Sequence, residues 1–130
     1  MLLIAIDPGV TTGIAVKIGD KYQTLRTVDT NAIWSLLANS KWDAVIYEDF
    51  LTMNRASSAG MHTIHVIGGI KAICELYKLT VYRQAPVKRI KYMTRAKNLG
   101  IAHGTHELDA LAHLLAWEYR DGTCLLYTSD

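Results

Sequence analysis

Fifteen residues near the start of the chain, LLIAIDPGVTTGIAV at positions 2–16, dictate the first part of the fold. Five consecutive apolar residues run into Asp7, and Pro8-Gly9 then forces a turn. We expect a buried strand over residues 2–7 that ends on a carboxylate. A buried carboxylate is costly unless a partner meets it, so Asp7 predicts that further chemical groups converge on this strand end.

The rest of the chain alternates predicted strands and helices. We predict further strands over residues 13–18, 22–28, 43–49 and 79–84. We predict helices after a cap at Thr30 or Asn31, over 59–78, from Pro86 onward and over 105–120. A flexible link, TMNRASSAG at 52–60, precedes the long helix. A three-strand meander followed by alternating helices and strands predicts a layered α/β domain with a mixed sheet.

Size and composition favour one globular domain over residues 1–121. The chain has 130 residues and is 50% hydrophobic, enough for a sizeable core. It has no apolar run of about 18 residues and no basic segment before an apolar start, so we expect neither a membrane span nor a signal peptide. Its cysteines, Cys74 and Cys124, are too few for a disulfide framework, which fits a reduced cytoplasmic setting.

The last residues, 122–130, do not fit this plan. The segment GTCLLYTSD follows Asp121 with no pattern that joins a predicted element, and it resembles adapter-derived sequence. We interpret it as a non-native C-terminal tail, with an ordinary C-terminal strand or packed tail as the alternative.

Charge is distributed unevenly although the net charge is only +2. No Asp or Glu occurs from Leu76 to His106, a range that holds half of the 14 basic residues: Lys78, Arg83, Lys88, Arg89, Lys91, Arg95 and Lys97. A basic surface beside a carboxylate cluster favours a polyanion as ligand. The alternative is a solvated, charged helix face.

A second apolar run ends in acids as the first one does. AVIYEDF at 44–50 is apolar until Glu48 and Asp49. Neighbouring strand residues point to opposite faces, so only one of the two acids can meet Asp7. Like charges brought together there would repel each other unless a cation lies between them.

The third source of ligands is HELDALAHLLAW, residues 106–117. At helical spacing, His106, Asp109 and His113 form one stripe, separate from a leucine stripe that suits the core. Together with Asp7 and one strand-end acid, this stripe offers an oxygen-rich site that suits Mg²⁺ or Mn²⁺ better than zinc. Two such ions can activate water and stabilise the leaving oxygen of a phosphodiester.

These segments together resemble those of the RuvC-type Holliday-junction resolvases, in particular the compact phage-type members of the ribonuclease H-like superfamily. The matching segments are IDPGVTTGIAV, VIYEDF and HELDALAHLLAW, in the same order along the chain. The resemblance implies a ribonuclease H-like three-layer fold with a mixed five-stranded sheet flanked by helices. It also implies that two Mg²⁺ ions, for which Mn²⁺ can substitute, bind to Asp7, Glu48, His106 and Asp109.

The resemblance implies further roles around those ligands. Val87-Lys88 matches a Val-Lys pair whose lysine lies near the scissile phosphate, so Lys88 joins the four ligands as a catalytic residue. His113 is expected to support a metal ligand rather than to bind metal. The predicted contacts with backbone phosphates are Arg83, Lys88, Arg89, Lys91, Arg95 and Lys97.

The resemblance also implies partners and a reaction. The chain is expected to form a homodimer that cuts a four-way DNA junction symmetrically, leaving 5′-phosphate and 3′-hydroxyl ends. Small residues on the long helix (Gly60, Gly68, Gly69 and Ala72) suit either the dimer interface or close packing within one chain.

Three other functions remain open from the sequence. The same fold could cut other branched DNA or RNA–DNA hybrids, or bind junctions without cutting them. DPGVTTG at 7–13 also resembles the phosphate loop of actin-like and sugar-kinase folds, which predicts nucleotide binding. Those proteins need two large lobes, and 130 residues supply half of one.

Overall fold

The computed structural model describes residues 1–49 and 58–128, with side chains as far as Tyr119. The strands in that part of the chain are β1 (Leu2–Asp7), β2 (Thr12–Ile18), β3 (Lys21–Thr27), β4 (Ala44–Glu48) and β5 (Val81–Gln84). The helices are α1 (Thr30–Ala38), α2 (Ser58–Leu76), α3 (Val87–Ile90), α4 (Met93–Asn98) and α5 (Thr105–Thr128). None of the helices described is both long and apolar enough to cross a membrane.

The strands form one mixed sheet in the order β3-β2-β1-β4-β5. The first three strands pair antiparallel as a meander, whereas β4 pairs parallel to β1 and β5 parallel to β4. Both parallel pairings need a crossover, and the chain between the paired strands contains helices. The predicted α/β class and the mixed five-stranded sheet are confirmed.

Strand alternation divides the core into two layers. One face of the sheet buries Ile4, Ile6 and Val45 in a cluster with residues of α1 and α2. The opposite face carries Ala5 and Ile46 in a cluster with residues of α4 and α5. Helices therefore cover both faces of the sheet, which gives the three layers that the sequence predicts.

The start of α5 lies unusually close to the sheet. A Cβ atom added to Gly13 on β2 would lie 1.9 Å from the carbonyl oxygen of His106 and 3.0 Å from the amide nitrogen of Glu107. Only glycine fits this contact. Gly13 pairs with Asp7 across β1 and β2. The contact at Gly13 therefore sets the distance between the first turn of α5 and the strand end that carries Asp7.

The predicted cap of the first helix is wrong. Asp29, not Thr30 or Asn31, caps α1, since its extended backbone lets its carboxylate accept a hydrogen bond from the amide of Asn31 at 2.9 Å.

Other boundaries also differ from those expected. The basic segment after Pro86 forms two short helices rather than one. The backbone of the last helix continues beyond residue 120 to Thr128, across most of the segment interpreted as a tail. Most of the predicted link over 52–60 lies outside the described residues, which resume at Ser58.

The small residues of α2 lie in two different environments, one buried within the chain and one exposed. Gly60 is buried, and a Cβ on Gly69 would lie 2.2 Å from the ring of Trp34 on α1, so these glycines allow close packing within the chain. Gly68 and Ala72 are exposed instead, and a Cβ on Gly68 would meet nothing within 4 Å. Close packing within one chain therefore explains only part of the glycine pattern.

Replacing Gly13 by alanine should destabilise the fold by about 1–3 kcal/mol, because the added methyl group must push α5 away from β2. Urea unfolding of the metal-free protein measures this change. Gly68→Ala is the matched control. Measured on the monomer, where an added Cβ meets nothing within 4 Å, it should be neutral or stabilising by up to about 1 kcal/mol, since alanine favours an exposed helix. Equal stability of Gly13→Ala and the wild type would contradict the close contact.

Candidate active site

Three neighbouring strands deliver polar side chains to the same face of the sheet. Asp7 ends β1 and Glu48 ends β4, and both continue the alternation that places Ala5 and Ile46 under α5. Gln84 ends β5 and pairs with Glu48 in the parallel register. Asp7, Glu48 and Gln84 are all buried, so the carboxyl ends of β1, β4 and β5 form a polar surface beneath α5.

Helix α5 covers these polar strand ends. Its His113 side chain is fully buried and lies between two strand-end residues. The Nε2 atom of His113 is 2.8 Å from Oε1 of Glu48, and its Nδ1 atom is 2.7 Å from Oε1 of Gln84. An ionised Glu48 can only accept, so Nε2–H of His113 donates to it. His113 thus orients Glu48 rather than facing solvent.

The carboxyl groups at these strand ends have strongly shifted pKa values. Burial raises the pKa of Asp7 to about 8, helped by the negative charges of Glu48 and Asp109 and by a hydrogen bond with Glu48. For Glu48, burial alone would raise the pKa, but hydrogen bonds from His113 and Arg89 outweigh it and lower the pKa. Without a metal ion, a protonated Asp7 therefore donates to an ionised Glu48.

Asp109 lies one helical turn before His113 on α5. Burial raises its pKa, and Glu48 adds to that shift, while the charges of Arg89, His113 and His106 oppose it. Asp109 is partly exposed, with 14% of its side-chain surface accessible. Asp109 therefore interacts electrostatically with Glu48 and Asp7, but it lies nearer to the solvent than they do.

Arg89 brings positive charge into this group of acids. From α3, its Nε atom donates to Oε1 of Glu48 at 2.9 Å, and its Nη1 atom lies 3.7 Å from Oδ1 of Asp109. Burial would lower the pKa of Arg89, but the bond to Glu48 and the charges of Asp109 and Asp7 raise it. We call the three carboxyl groups of Asp7, Glu48 and Asp109 the acid cluster, and Arg89 is its neighbouring cation.

The acid cluster fits a hard divalent cation by its chemistry. Three carboxyl groups converge, and the charges of Glu48 and Asp109 add to the burial that raises the pKa of Asp7. Carboxylate oxygens are the ligands that such cations prefer. Within residues 1–49 and 58–128, however, no set of three or more His, Cys, Asp or Glu side chains has the arrangement of a metal site. The guanidinium of Arg89 contacts two of the carboxylates instead.

The remaining predicted site residues surround the acid cluster. His106 is exposed in the first turn of α5, close enough for its charge to lower the pKa of Asp109. Lys88 is also exposed; with Lys91 it lines a shallow pocket of about 120 Å³, whose wall includes Gln84. His113 links Gln84, in the wall of this pocket, to Glu48.

The other predicted DNA contacts lie farther out on the same basic segment. Arg83 is exposed and pairs with Asp49 at 3.5 Å, on the sheet face opposite Glu48. The guanidinium carbon of Arg95 lies 4.0 Å from the centre of the Tyr119 ring, on which Tyr92 also stacks. Lys97 is exposed beside a second pocket near the start of α5.

Sequence reasoning missed two members of this site. Gln84 was not singled out, although its position at the end of a strand next to β4 was a usable signal. Arg89 was grouped with the phosphate contacts, because nothing in the pattern separates it from its basic neighbours. Glu107, in the first turn of α5, is buried and accepts hydrogen bonds from Thr24 and the amide of His103, so it anchors α5 to β3.

Comparison with solved structures identifies the fold. A chain of Thermus thermophilus RuvC, in a structure titled as a complex with a Holliday junction substrate, superimposes with a TM-score of 0.72 at 18% identity. The match covers 95% of this chain and 97% of that one. This chain has the fold of RuvC. A second T. thermophilus RuvC structure matches with a TM-score of 0.69, also at 18% identity, over 95% of this chain and 98% of the other.

This chain is also distantly similar to a second solved protein. YeaZ from Pseudomonas aeruginosa matches with a TM-score of 0.52 and 12% identity over 76% of this chain and 50% of its own length. No family model and no curated protein matches the sequence. The resemblance to RuvC-type resolvases drawn from the sequence motifs is thus confirmed for the fold.

Asp7→Asn should change how stability depends on pH in a chelator. With its pKa raised from 3.8 to about 8, Asp7 binds a proton more tightly when folded than when unfolded. Its contribution to stability is fully present below pH 3.8 and is lost as pH rises to about 8. Asparagine cannot lose that proton, so the variant should gain a few kcal/mol over the wild type across this window, measured by urea unfolding. Parallel pH profiles would contradict the shift.

Proposed function

We propose that this chain is a metal-dependent, structure-selective endonuclease that cuts four-way DNA junctions. The observation that carries the proposal is the convergence of Asp7, Glu48 and Asp109 at the strand ends of a RuvC fold. Three mutually repelling carboxyl groups lower the stability of the free protein. Binding of divalent cations would neutralise this repulsion, and it would give the three carboxyl groups a function in a nuclease.

The acid cluster supports phosphodiester hydrolysis in particular. Asp7, Glu48, Asp109 and the nearby His106 would hold the divalent ions, which would supply a Lewis acid for activating water and neutralising phosphate charge. Water adds to phosphorus as the bond to the 3′ oxygen breaks, leaving 5′-phosphate and 3′-hydroxyl ends. His113 keeps Glu48 ionised and oriented, and exposed Lys88 can neutralise charge on the phosphate.

The basic segment supports a nucleic acid as the substrate. Lys88 and Lys91 line one pocket, and Arg95 stacks on Tyr119 at the surface. Such groups contact backbone phosphates without reading sequence, so binding should weaken as salt rises. A junction is the favoured substrate because the RuvC structure with the higher TM-score is described as holding a Holliday junction substrate.

The competing phosphate-loop interpretation of residues 7–13 has less support. The Thr12 hydroxyl donates to the carbonyl of Gly9 at 3.1 Å and also lies 3.4 Å from the amide of Gly9. Thr12 is buried, so its hydroxyl closes the turn instead of facing a ligand. The similarity to YeaZ covers half of that chain, consistent with a single lobe.

The outer face of α2 supports the proposed homodimer. Met61 and Ile64 are 58% and 42% exposed, and exposed Gly68 continues the same stripe along the helix. A second copy of this surface would bury the stripe and present two acid clusters to the two strands of a junction.

Ile64→Glu should convert the proposed dimer into a monomer, because a buried carboxylate would face its symmetry-related copy across the interface. Sedimentation equilibrium measures the change in mass. The control is Ile18→Glu, the same substitution at an exposed position on the β2–β3 hairpin, which should leave the dimer intact. A monomeric wild type at micromolar concentration would contradict this arrangement.

Asp7→Asn should reduce junction cleavage at least about 100-fold while leaving junction binding within about threefold, since it removes a metal ligand but no phosphate contact. The assay uses a labelled four-way junction with Mg²⁺, and separates paired, symmetric nicks from single cuts. Linear duplex, forked DNA and an RNA–DNA hybrid of the same sequence serve as controls.

Each result has a different consequence for the proposal. Mg²⁺-dependent cutting by Asp7→Asn would contradict the assignment of the acid cluster. Equal cutting of fork, hybrid and junction would keep the nuclease and replace its substrate. Tight junction binding without cutting by the wild type would identify a silent junction-binding protein.

A further inference from the structure

Arg89 differs from the other cations of the basic segment in where its charge lies. Arg83 has 67% of its side-chain surface exposed, and Lys88 and Lys91 are also exposed. Arg89 has only 28% exposed, and its guanidinium contacts two acids that come from different secondary-structure elements. It therefore links β4 to α5 across the open side of the acid cluster.

The contacts of Arg89 use the atoms that a metal ion would need. Its Nε atom is 2.9 Å from Oε1 of Glu48, the same oxygen that receives the hydrogen bond of His113. Its Nη1 atom faces Oδ1 of Asp109 at 3.7 Å. A divalent cation bound by Glu48 and Asp109 would repel the guanidinium and compete with it for these oxygens.

We propose that Arg89 is a tethered counter-ion of the acid cluster, which holds Glu48 and Asp109 together in the metal-free protein and must leave them before a divalent cation binds. This inference rests on the proposed metal-dependent function, because both concern the same carboxylates. It adds that the metal site is closed by a residue of the chain itself and opens by exchange of one cation for another.

The placement of Arg89 makes such an exchange feasible. Arg89 extends from α3, a helix of four residues with no buried side chain, and its own side chain is partly exposed. The guanidinium can therefore rotate toward solvent without disturbing the core. Because the cation is attached to the chain, it competes with metal at a high effective concentration, so it should weaken metal binding substantially.

The test compares Mn²⁺ binding to wild type, Arg89→Gln, Arg89→Lys and Arg83→Gln. Binding is measured by electron paramagnetic resonance titration at constant ionic strength, without DNA. Arg89→Gln should bind Mn²⁺ about tenfold more tightly or better, since the competing charge is gone. Arg83→Gln removes the same charge outside the acid cluster and should stay within about twofold of wild type.

Thermal unfolding provides a second readout. In a chelator, Arg89→Gln should melt several degrees below the wild type, because Glu48 and Asp109 lose the cation that contacts them both. Saturating Mn²⁺ should then stabilise the variant more than it stabilises the wild type. A merely structural role for Arg89 predicts weaker, not tighter, metal binding, so the two interpretations give opposite signs.

The outcomes separate this inference from the proposed function. Equal or weaker Mn²⁺ binding by Arg89→Gln, with wild-type binding intact, would overturn the inference alone. If neither protein binds Mn²⁺, both the inference and the metal-dependent function fail. If Arg89→Gln does not fold in the chelator, Arg89→Lys decides. Lysine keeps the charge but lacks the planar fork that contacts Glu48 and Asp109 at once, so Mn²⁺ should bind about threefold more tightly, and no gain would overturn the inference.

Discussion

The burial of like charges at one end of the sheet is the constraint on which this molecule depends. Asp7 and Glu48 end adjacent parallel strands, so the register that builds the core also brings their carboxyl groups into contact. The structure offsets their repulsion in three ways. Asp7 retains a proton, His113 donates to Glu48, and Arg89 contributes its charge. Each of these is a compensation that a bound divalent cation could replace or reorganise.

The position of the acid cluster follows from the close approach of α5 to the sheet. Small residues on this face, among them Ala5 and Ala15, let the helix lie near the strands. At Gly13 the helix backbone and the strand leave no room for a side chain. Asp109 and His113 can reach Asp7 and Glu48 only because of this proximity, so packing and site chemistry depend on each other.

Much of this arrangement was predictable from local sequence rules. Strand alternation predicts that only one of Glu48 and Asp49 can face Asp7, and the resemblance to RuvC-type resolvases selects Glu48. Helical spacing places Asp109 and His113 on one stripe. The role of Arg89 could not be predicted, because it depends on the path of two short helices after β5 rather than on any periodicity. The partnership between His113 and Gln84 likewise needs the order of strands, which places β5 beside β4.

The same reasoning explains why an arginine, rather than a hydrophobic residue, covers the acids. An apolar cover would deprive Glu48 and Asp109 of the positive charge of Arg89, and an ionised carboxylate buried in this way costs several kcal/mol. A cation locked deep in the core would neutralise them permanently and exclude metal. Arg89 meets both requirements, since it is held by the acids but anchored on a peripheral helix. If the acid cluster holds a divalent cation as proposed, its counter-ion must be displaceable, and the length of an arginine side chain on α3 meets that condition.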